Sequence, residues 1–225
     1  MFEVAHEWKQ TYPEAFVGVL AMAGVDNPEQ HRELDRMKDD LERDLRTRYS
    51  VDDRQSLRNM PVLAAYQDYY RQFGKTYHVQ LQLESVVFKG KRIPRTAALV
   101  EAMFMAELNN CLLTAGHDLD AIELPLRIDV ATGSESYLRM NGAEQVLKAG
   151  DMMIGDRSGI VSCILYGPDK RTRIVAATKR VMFTVYAPSG IRLETVQQHL
   201  EEIRNHVKVV APSANVEMME IFGGS

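Results

Sequence analysis

Apolar positions recur at steps of three and four through residues 29–48, where Leu34, Met37, Leu41 and Leu45 form one narrow stripe in a segment otherwise dense in charge. That pattern predicts a helix lying on the surface with its charged side solvated. Asn27 reads as its N-cap, with Pro28 at the first helical position and Gln30 three residues after the cap. A second helix is expected from about Asn59 to Phe73, ending at Gly74. One side of it carries Val62, Leu63, Tyr66, Tyr69, Tyr70 and Phe73, an aromatic row that reads as core packing. The segment VQLQLESVVFKGK (79–91) begins with strand-like alternation but is read as a short helix stopped by Gly90. Residues 97–114 are the most apolar stretch and predict a buried helix that hides Leu99, Val100, Met103, Ala106 and Leu113. Gly116 should break this helix, and His117-Asp118-Leu119-Asp120 reads as a polar turn. Ahead of the helices, residues 2–22 read as a strand, a turn at Pro13 and a second apolar strand.

After Ile122 the texture changes to short apolar runs separated by turn signals. Tight turns are expected at Thr132-Gly133, Asn141-Gly142, Ser158-Gly159 and Ser189-Gly190. An amphipathic helix over about Leu193 to His206 and a last strand, VEMMEIF, complete the chain. Helices and strands are segregated, which predicts an α+β fold of mixed α/β layers with helices packed on a β-meander. No repeat, low-complexity tract or long linker divides the chain, so residues 1–225 are expected to form a single domain. Its core would span about 57–191, flanked by the N-terminal strand pair with the charged helix 28–49 and by the C-terminal helix and strand, 193–222.

A 45% hydrophobic fraction supplies a real core. Counts of 27 basic and 31 acidic residues give a net charge of −4. That balance argues against sequence-blind nucleic-acid binding, DNA included, but leaves room for docking one end of an RNA through a local patch. Cys111 and Cys163 each sit in an apolar run and read as buried thiols. No metal-ligand spacing occurs, no cofactor signature is present, and no apolar run is long enough to span a membrane. With a charged N-terminal segment, the expected address is cytoplasmic. The GxSxG, HExxH, Walker and GxGxxG patterns are all missing. His6, His31, His199 and His206 lie in charged segments and read as solvated, whereas His78 and His117 lie at element junctions. His117, followed by Asp118, is either a histidine satisfied by turn hydrogen bonds or a catalytic group.

Two basic clusters stand out against the acidic whole. Lys89, Lys91, Arg92 and Arg95 occur with no acid between them, and Lys170, Arg171, Arg173, Lys179 and Arg180 follow one another with only Asp169 beside them. Each flanks glycine or proline, where cations can approach phosphates closely. The bland alternative is ordinary solvated lysine and arginine.

The succession AAYQDYYRQFG (64–74), ESVVFKGKRIP (84–94), ALVEAMFMAELNNCLLTAGHDLDAI (98–122), PLRIDV (125–130), GDMMIGDRSGIVSCILYGPDKRT (150–172) and ATKRVMFTVYAPSGI (177–191) resembles the tRNA-binding and editing domain of the phenylalanyl-tRNA synthetase β subunit, above all its free-standing bacterial forms. The resemblance implies a pocket for the 3′ end of a mischarged tRNA, where the protein positions water and an aminoacyl ester instead of supplying a nucleophile triad. It places Met103 and Phe104 where the synthetase has threonine and asparagine. Ala115 stands where the synthetase has a histidine, with His117 two residues on, and Thr184 stands near the acid that reads the tyrosine hydroxyl. The pocket so lined is more apolar than the synthetase's. The synthetase's catalytic core, ATP site and anticodon module have no room in these residues.

The resemblance thus implies His117 and Asp118 as catalytic residues, His117 acting as base with an ordinary pKa of about 6.5. It implies substrate contacts from Met103, Phe104, Glu107, Asn109, Asn110, Gly167, Pro168, Asp169, Thr172, Thr178 and Thr184. It implies tRNA contacts from Lys89, Lys91, Arg92, Arg95, Arg171, Lys179 and Arg180, with Lys89, Arg92, Arg171 and Lys179 around one concavity. Two functions stay open: a tRNA acceptor-end binder that hydrolyses mischarged esters in trans, or a non-enzymatic module that holds a free amino acid or small aromatic in the same pocket. A third is a scaffold that uses its charged helix 29–48.

Overall fold

The computed structural model describes residues 1–50 and 54–223. In chain order come β1 (Phe2–Val4), α1 (His6–Thr11), β2 (Phe16–Ala23), α2 (Arg32–Arg48), α3 (Arg54–Arg58), α4 (Pro61–Gln72), α5 (His78–Lys89) and α6 (Ala98–Asn110). Then follow β3 (Thr114–Asp118), a single tight helical turn (Leu119–Ala121), β4 (Leu126–Val130), β5 (Ser136–Leu138), β6 (Glu144–Val146), β7 (Met152–Asp156), β8 (Gly159–Cys163), β9 (Gly167–Pro168), β10 (Arg180–Ala187), α7 (Leu193–Val210) and β11 (Asn215–Gly223). The fold is α+β, as the segregated pattern implies.

Two sheets carry the molecule. One has the order β1-β4-β7-β8-β9, with the β5–β6 hairpin as an excursion, and holds the meander. The other has the order β11-β2-β10-β3. The two N-terminal strands therefore do not pair with each other: β1 joins β4 in parallel, and β2 sits between β10 and β11. Alternation along β10 assigns the two faces of the second sheet. Val185 lies opposite Gly18, where an added Cβ would stand 2.7 Å from Val196 of α7, so this face carries the helices. Met182, Thr184 and Tyr186 point the other way, toward the meander, where the Tyr186 hydroxyl lies 2.7 Å from Ser162 Oγ.

The tyrosine row of α4 does more than fill the core. Tyr66, Tyr69 and Tyr70 are buried, and their hydroxyls tie the helix to both sheets. Tyr66 donates to the Tyr186 carbonyl and accepts from Leu113 N–H. Tyr69 donates to Asp151 and Tyr70 to the Ile164 carbonyl. Gly74 takes the left-handed conformation just past the helix, and Gly90 does so after α5, as their positions predict.

Several local expectations change. Residues 6–11 are helical, because buried Trp8 anchors a short turn that six residues of sequence do not announce. Helix α2 starts later, with His31 accepting from Leu34 N–H. Asn27 instead accepts from Leu99 N–H while its amide donates to the Val175 carbonyl, so it caps α6 from a distance. Helix α6 stops at Asn110, and buried Leu113 lies beyond it; Val100 and Met103 are half-buried. Gly116 does not break a helix but sits inside β3, where a Cβ would meet Ile174 at 2.8 Å and Met103 at 3.0 Å. All four predicted turn glycines, Gly133, Gly142, Gly159 and Gly190, have positive φ. Cys111 and Cys163 are buried free thiols. Among the described residues no helix is long and apolar enough to cross a membrane.

Candidate functional site

Strand β3 places His117 directly opposite Met182, so its side chain shares the inter-sheet face with Thr184. His117 is therefore not on a polar turn: it is fully buried. The turn signal Gly-His-Asp misleads because these residues pair with β10, an interaction remote in sequence. The Thr172 hydroxyl donates to Asp169, so the 2.9 Å contact between Thr172 Oγ1 and His117 Nδ1 requires an Nδ1–H donor. Nε2 is then a bare acceptor, and among the described residues it has no partner. Thr184 Oγ1, on the same face, is likewise buried without a partner. Burial, reinforced by the Arg171 charge, pushes the His117 pKa down to about 3. The ring is neutral at pH 7, which corrects the expectation of a base poised near 6.5.

The loop after β9 completes this cluster. Arg171 forms a two-pronged pair with Asp156 at 2.9 and 3.0 Å and bonds the Ala121 carbonyl at 2.9 Å. Asp169 is buried and also accepts from Thr172 N–H. Asp118 N–H donates to the Thr172 carbonyl, while the Asp118 carboxylate accepts from Thr178 at 2.7 Å. Gly167 and Pro168 pair with Cys163 and Ser162 at the end of the meander, and the Gly167 carbonyl accepts from Tyr137. An open depression of about 450 Å³ borders the cluster, walled by Ser136, Tyr137, Ser158, Lys170, Arg171 and Arg173. Among the described residues Lys170 and Arg173 have no carboxylate partner. Asp156, which fixes Arg171, could not be found from spacing alone.

The remaining candidates lie elsewhere. Glu107 is buried at the end of α6 and accepts from Thr114 N–H, and burial raises its pKa to about 8. Asn109 and Asn110 donate to Glu202 of α7, so they join two helices. Histidine 199, expected to be solvated, is fully buried between Asn110 and Thr114. The Asn110 amide nitrogen donates to Glu202 and to His199 Nδ1, which leaves His199 Nε2–H donating to Thr114 Oγ1 at 2.7 Å. That polarity is the reverse of what a base activating a threonine needs. His206 is partly buried, with Nδ1 at 2.9 Å from the Ala102 carbonyl. Met103 and Phe104 do not share a pocket: Met103 packs toward Gly116, and Phe104 faces a depression beside α5.

Most predicted tRNA contacts are already engaged by acids that the fold brings from afar. Arg92 pairs with Asp39 and Arg95 with Asp35, both on α2. Lys179 pairs with Asp26, and Arg180 with Asp120 and Glu217. Lys89 and Lys91 are exposed. The depressions lined by Arg92 share no residue with the one lined by Arg171, and neither Lys89 nor Lys179 lines any of the three. Among the described residues no group of three His, Cys, Asp or Glu side chains could hold a metal ion.

A family model described as the B3/4 domain matches residues 65–208. The phenylalanine–tRNA ligase beta subunit of Mycoplasma pneumoniae is 27% identical over 84 residues, covering 37% of this chain and 10% of that protein. This chain thus matches a small part of that relative's length. The crystal structure of an N-terminal fragment of the phenylalanyl-tRNA synthetase beta subunit from Pyrococcus horikoshii aligns with a TM-score of 0.47 at 13% identity, over 98% of this chain and 50% of that one.

Proposed function

This chain belongs to the B3/4 domain family, and on that premise we propose that it is a tRNA-binding domain that receives an aminoacylated acceptor end and hydrolyses mischarged esters in trans. One observation carries the reading: a depression with two cations that pair with no carboxylate among the described residues adjoins the buried His117–Thr172–Asp169 cluster. The relative named as a phenylalanine–tRNA ligase subunit supplies the substrate class. Lys170 and Arg173 would meet phosphates, since they need not first give up a carboxylate. Arg171, held by Asp156, would face charge that develops on the ester carbonyl. His117 serves as a hydrogen-bond acceptor that positions water or a ribose hydroxyl, because a neutral ring with a pKa near 3 abstracts protons poorly at neutral pH. The deacylation rate should therefore show no inflection near pH 6.5.

The test is a deacylation screen with the purified chain over tRNAs charged with phenylalanine, tyrosine and other amino acids. It is paired with tRNA retention measured against salt. Lys170→Glu combined with Arg173→Glu is expected to weaken retention by roughly tenfold or more at low salt and to flatten the salt slope by about 1.5–2. A double variant that retains tRNA as the wild type does, or a wild type that neither retains nor deacylates any charged tRNA, would overturn the proposal.

A further inference from the structure

The depression beside α5 is a different environment. It has a volume of about 390 Å³, large enough for a ligand of amino-acid size. Leu81, Val86, Pro94 and Phe104 give it apolar walls, and Lys91 and Arg92 stand at its rim. Among the described residues no aspartate or glutamate lines it, in a chain that carries a net charge of −4. The adjoining depression holds the acids Asp35, Asp39 and Glu42, of which two engage the Arg92 guanidinium, Asp39 at 2.5 Å and Glu42 at 3.9 Å. Lys91 has no ion-pair partner among the described residues and follows the Gly90 cap of α5, with its N–H bonded to the Ser85 carbonyl. Leu81 is 45% exposed and offers apolar surface to the depression. In the same wall Gln82 Oε1 is shielded from solvent and has no hydrogen-bond partner among the described residues. A buried acceptor left in this state costs free energy that an incoming donor would recover.

We propose that this depression is a binding site for a small apolar carboxylic acid, aromatic or branched, that also carries an N–H or O–H donor. The carboxylate meets Lys91, the apolar body lies against Leu81 and Phe104, and the donor meets Gln82 Oε1 once the amide turns toward the depression. The site shares no residue with the inter-sheet cluster, so it stands or falls independently of the hydrolysis proposed there. Charge complementarity selects an acid over its neutral analogue, and the unpaired acceptor selects a donor-bearing ring over a plain hydrocarbon.

The experiment is an amide NMR titration of the full chain with three probes: indoleacetate, its neutral amide indoleacetamide, and naphthylacetate, which lacks the ring N–H. Indoleacetate is expected to shift resonances of residues 78–94 and Phe104. The other two probes should bind roughly tenfold more weakly or worse. Lys91→Ala, on an exposed loop, should weaken indoleacetate by about the same factor while leaving indoleacetamide unchanged. The proposal is overturned by shifts that map elsewhere, by equal affinity for acid and amide, by a Lys91→Ala variant that binds the acid as before, or by no response at about 10 mM ligand. Equal affinity for naphthylacetate would remove Gln82, and with it the donor requirement.

Discussion

Between about pH 5 and 6 the stability of this chain is expected to be nearly level, with a fall on either side. Burial lowers the folded-state pKa of His117 and His199 to about 3 from an ordinary 6.5. Over that interval the unfolded chain binds more protons than the folded one, so their contribution is lost as the pH falls. Glu107 and Asp151 act in the opposite sense. Burial raises them to about 8 and about 7 from 4.5 and 3.8, against the lowering effect of hydrogen bonds from Thr114 and Tyr69. The folded chain keeps protons that the unfolded chain releases, so stability drops as the pH rises through that range. Each group contributes about 1 kcal/mol per pH unit within its interval. In the overlap these two histidines, with His78 lowered by burial in the same sense, oppose two acids. Below about pH 4 the histidines act alone and the chain should unfold in acid; above about 6.5 the acids act alone. Chemical melts of Glu107→Gln/Asp151→Asn should show stability climbing by about 2–3 kcal/mol per unit between pH 5 and 6. A curve as flat as that of the wild type would remove these two carboxyls from the account.

Tyr66→Phe should be among the costliest single-atom deletions in the molecule. The hydroxyl lies in the core between the Leu113 N–H and the Tyr186 carbonyl, and its ring stacks on Tyr77 at 4.1 Å. Removing it leaves a buried donor and a buried acceptor without this partner, at about 1–3 kcal/mol for each unmet group. For a chain of this size the melting temperature should fall on the order of 10 °C. Tyr77→Phe is the comparison, because among the described residues that hydroxyl bonds one backbone group, the Cys111 carbonyl at 3.0 Å, and it should cost less than half as much. Equal losses in the two variants would mean that the ring environment, not the bridging hydroxyl, carries the effect.

The contrast between Tyr66 and His117 shows what could be read from the chain. Helical spacing identified the tyrosine row as core, and glycines at 74, 90, 133 and 142 marked element ends and turns, because those signals are local. What lay hidden depends on partners far apart in sequence. β3 looked like a turn until β10 is placed beside it, and His199 looked solvated until Thr114 and Asn110 surround it. The basic clusters looked free because the acids that neutralise them come from α2, β11 and the loop after β2. The Phe104 depression has no sequence signature, since its walls come from α5, α6 and the loop between them.

The pairing of β2 with β10 also bears on how the chain comes to be folded during its synthesis. Leu20 lies against Phe183, and Phe16 against Ala187, about 160 residues downstream. At about 5–20 residues per second, the apolar run from Phe16 to Ala23 leaves the ribosome some 10–30 s before its partner exists. Its other neighbour, β11, is made later still. The central sheet therefore cannot form vectorially, and its high contact order makes closure slow once the chain is complete. Through that interval the nascent chain carries an unpaired hydrophobic strand, a natural target for holding chaperones and a point where overexpression would favour aggregation over folding.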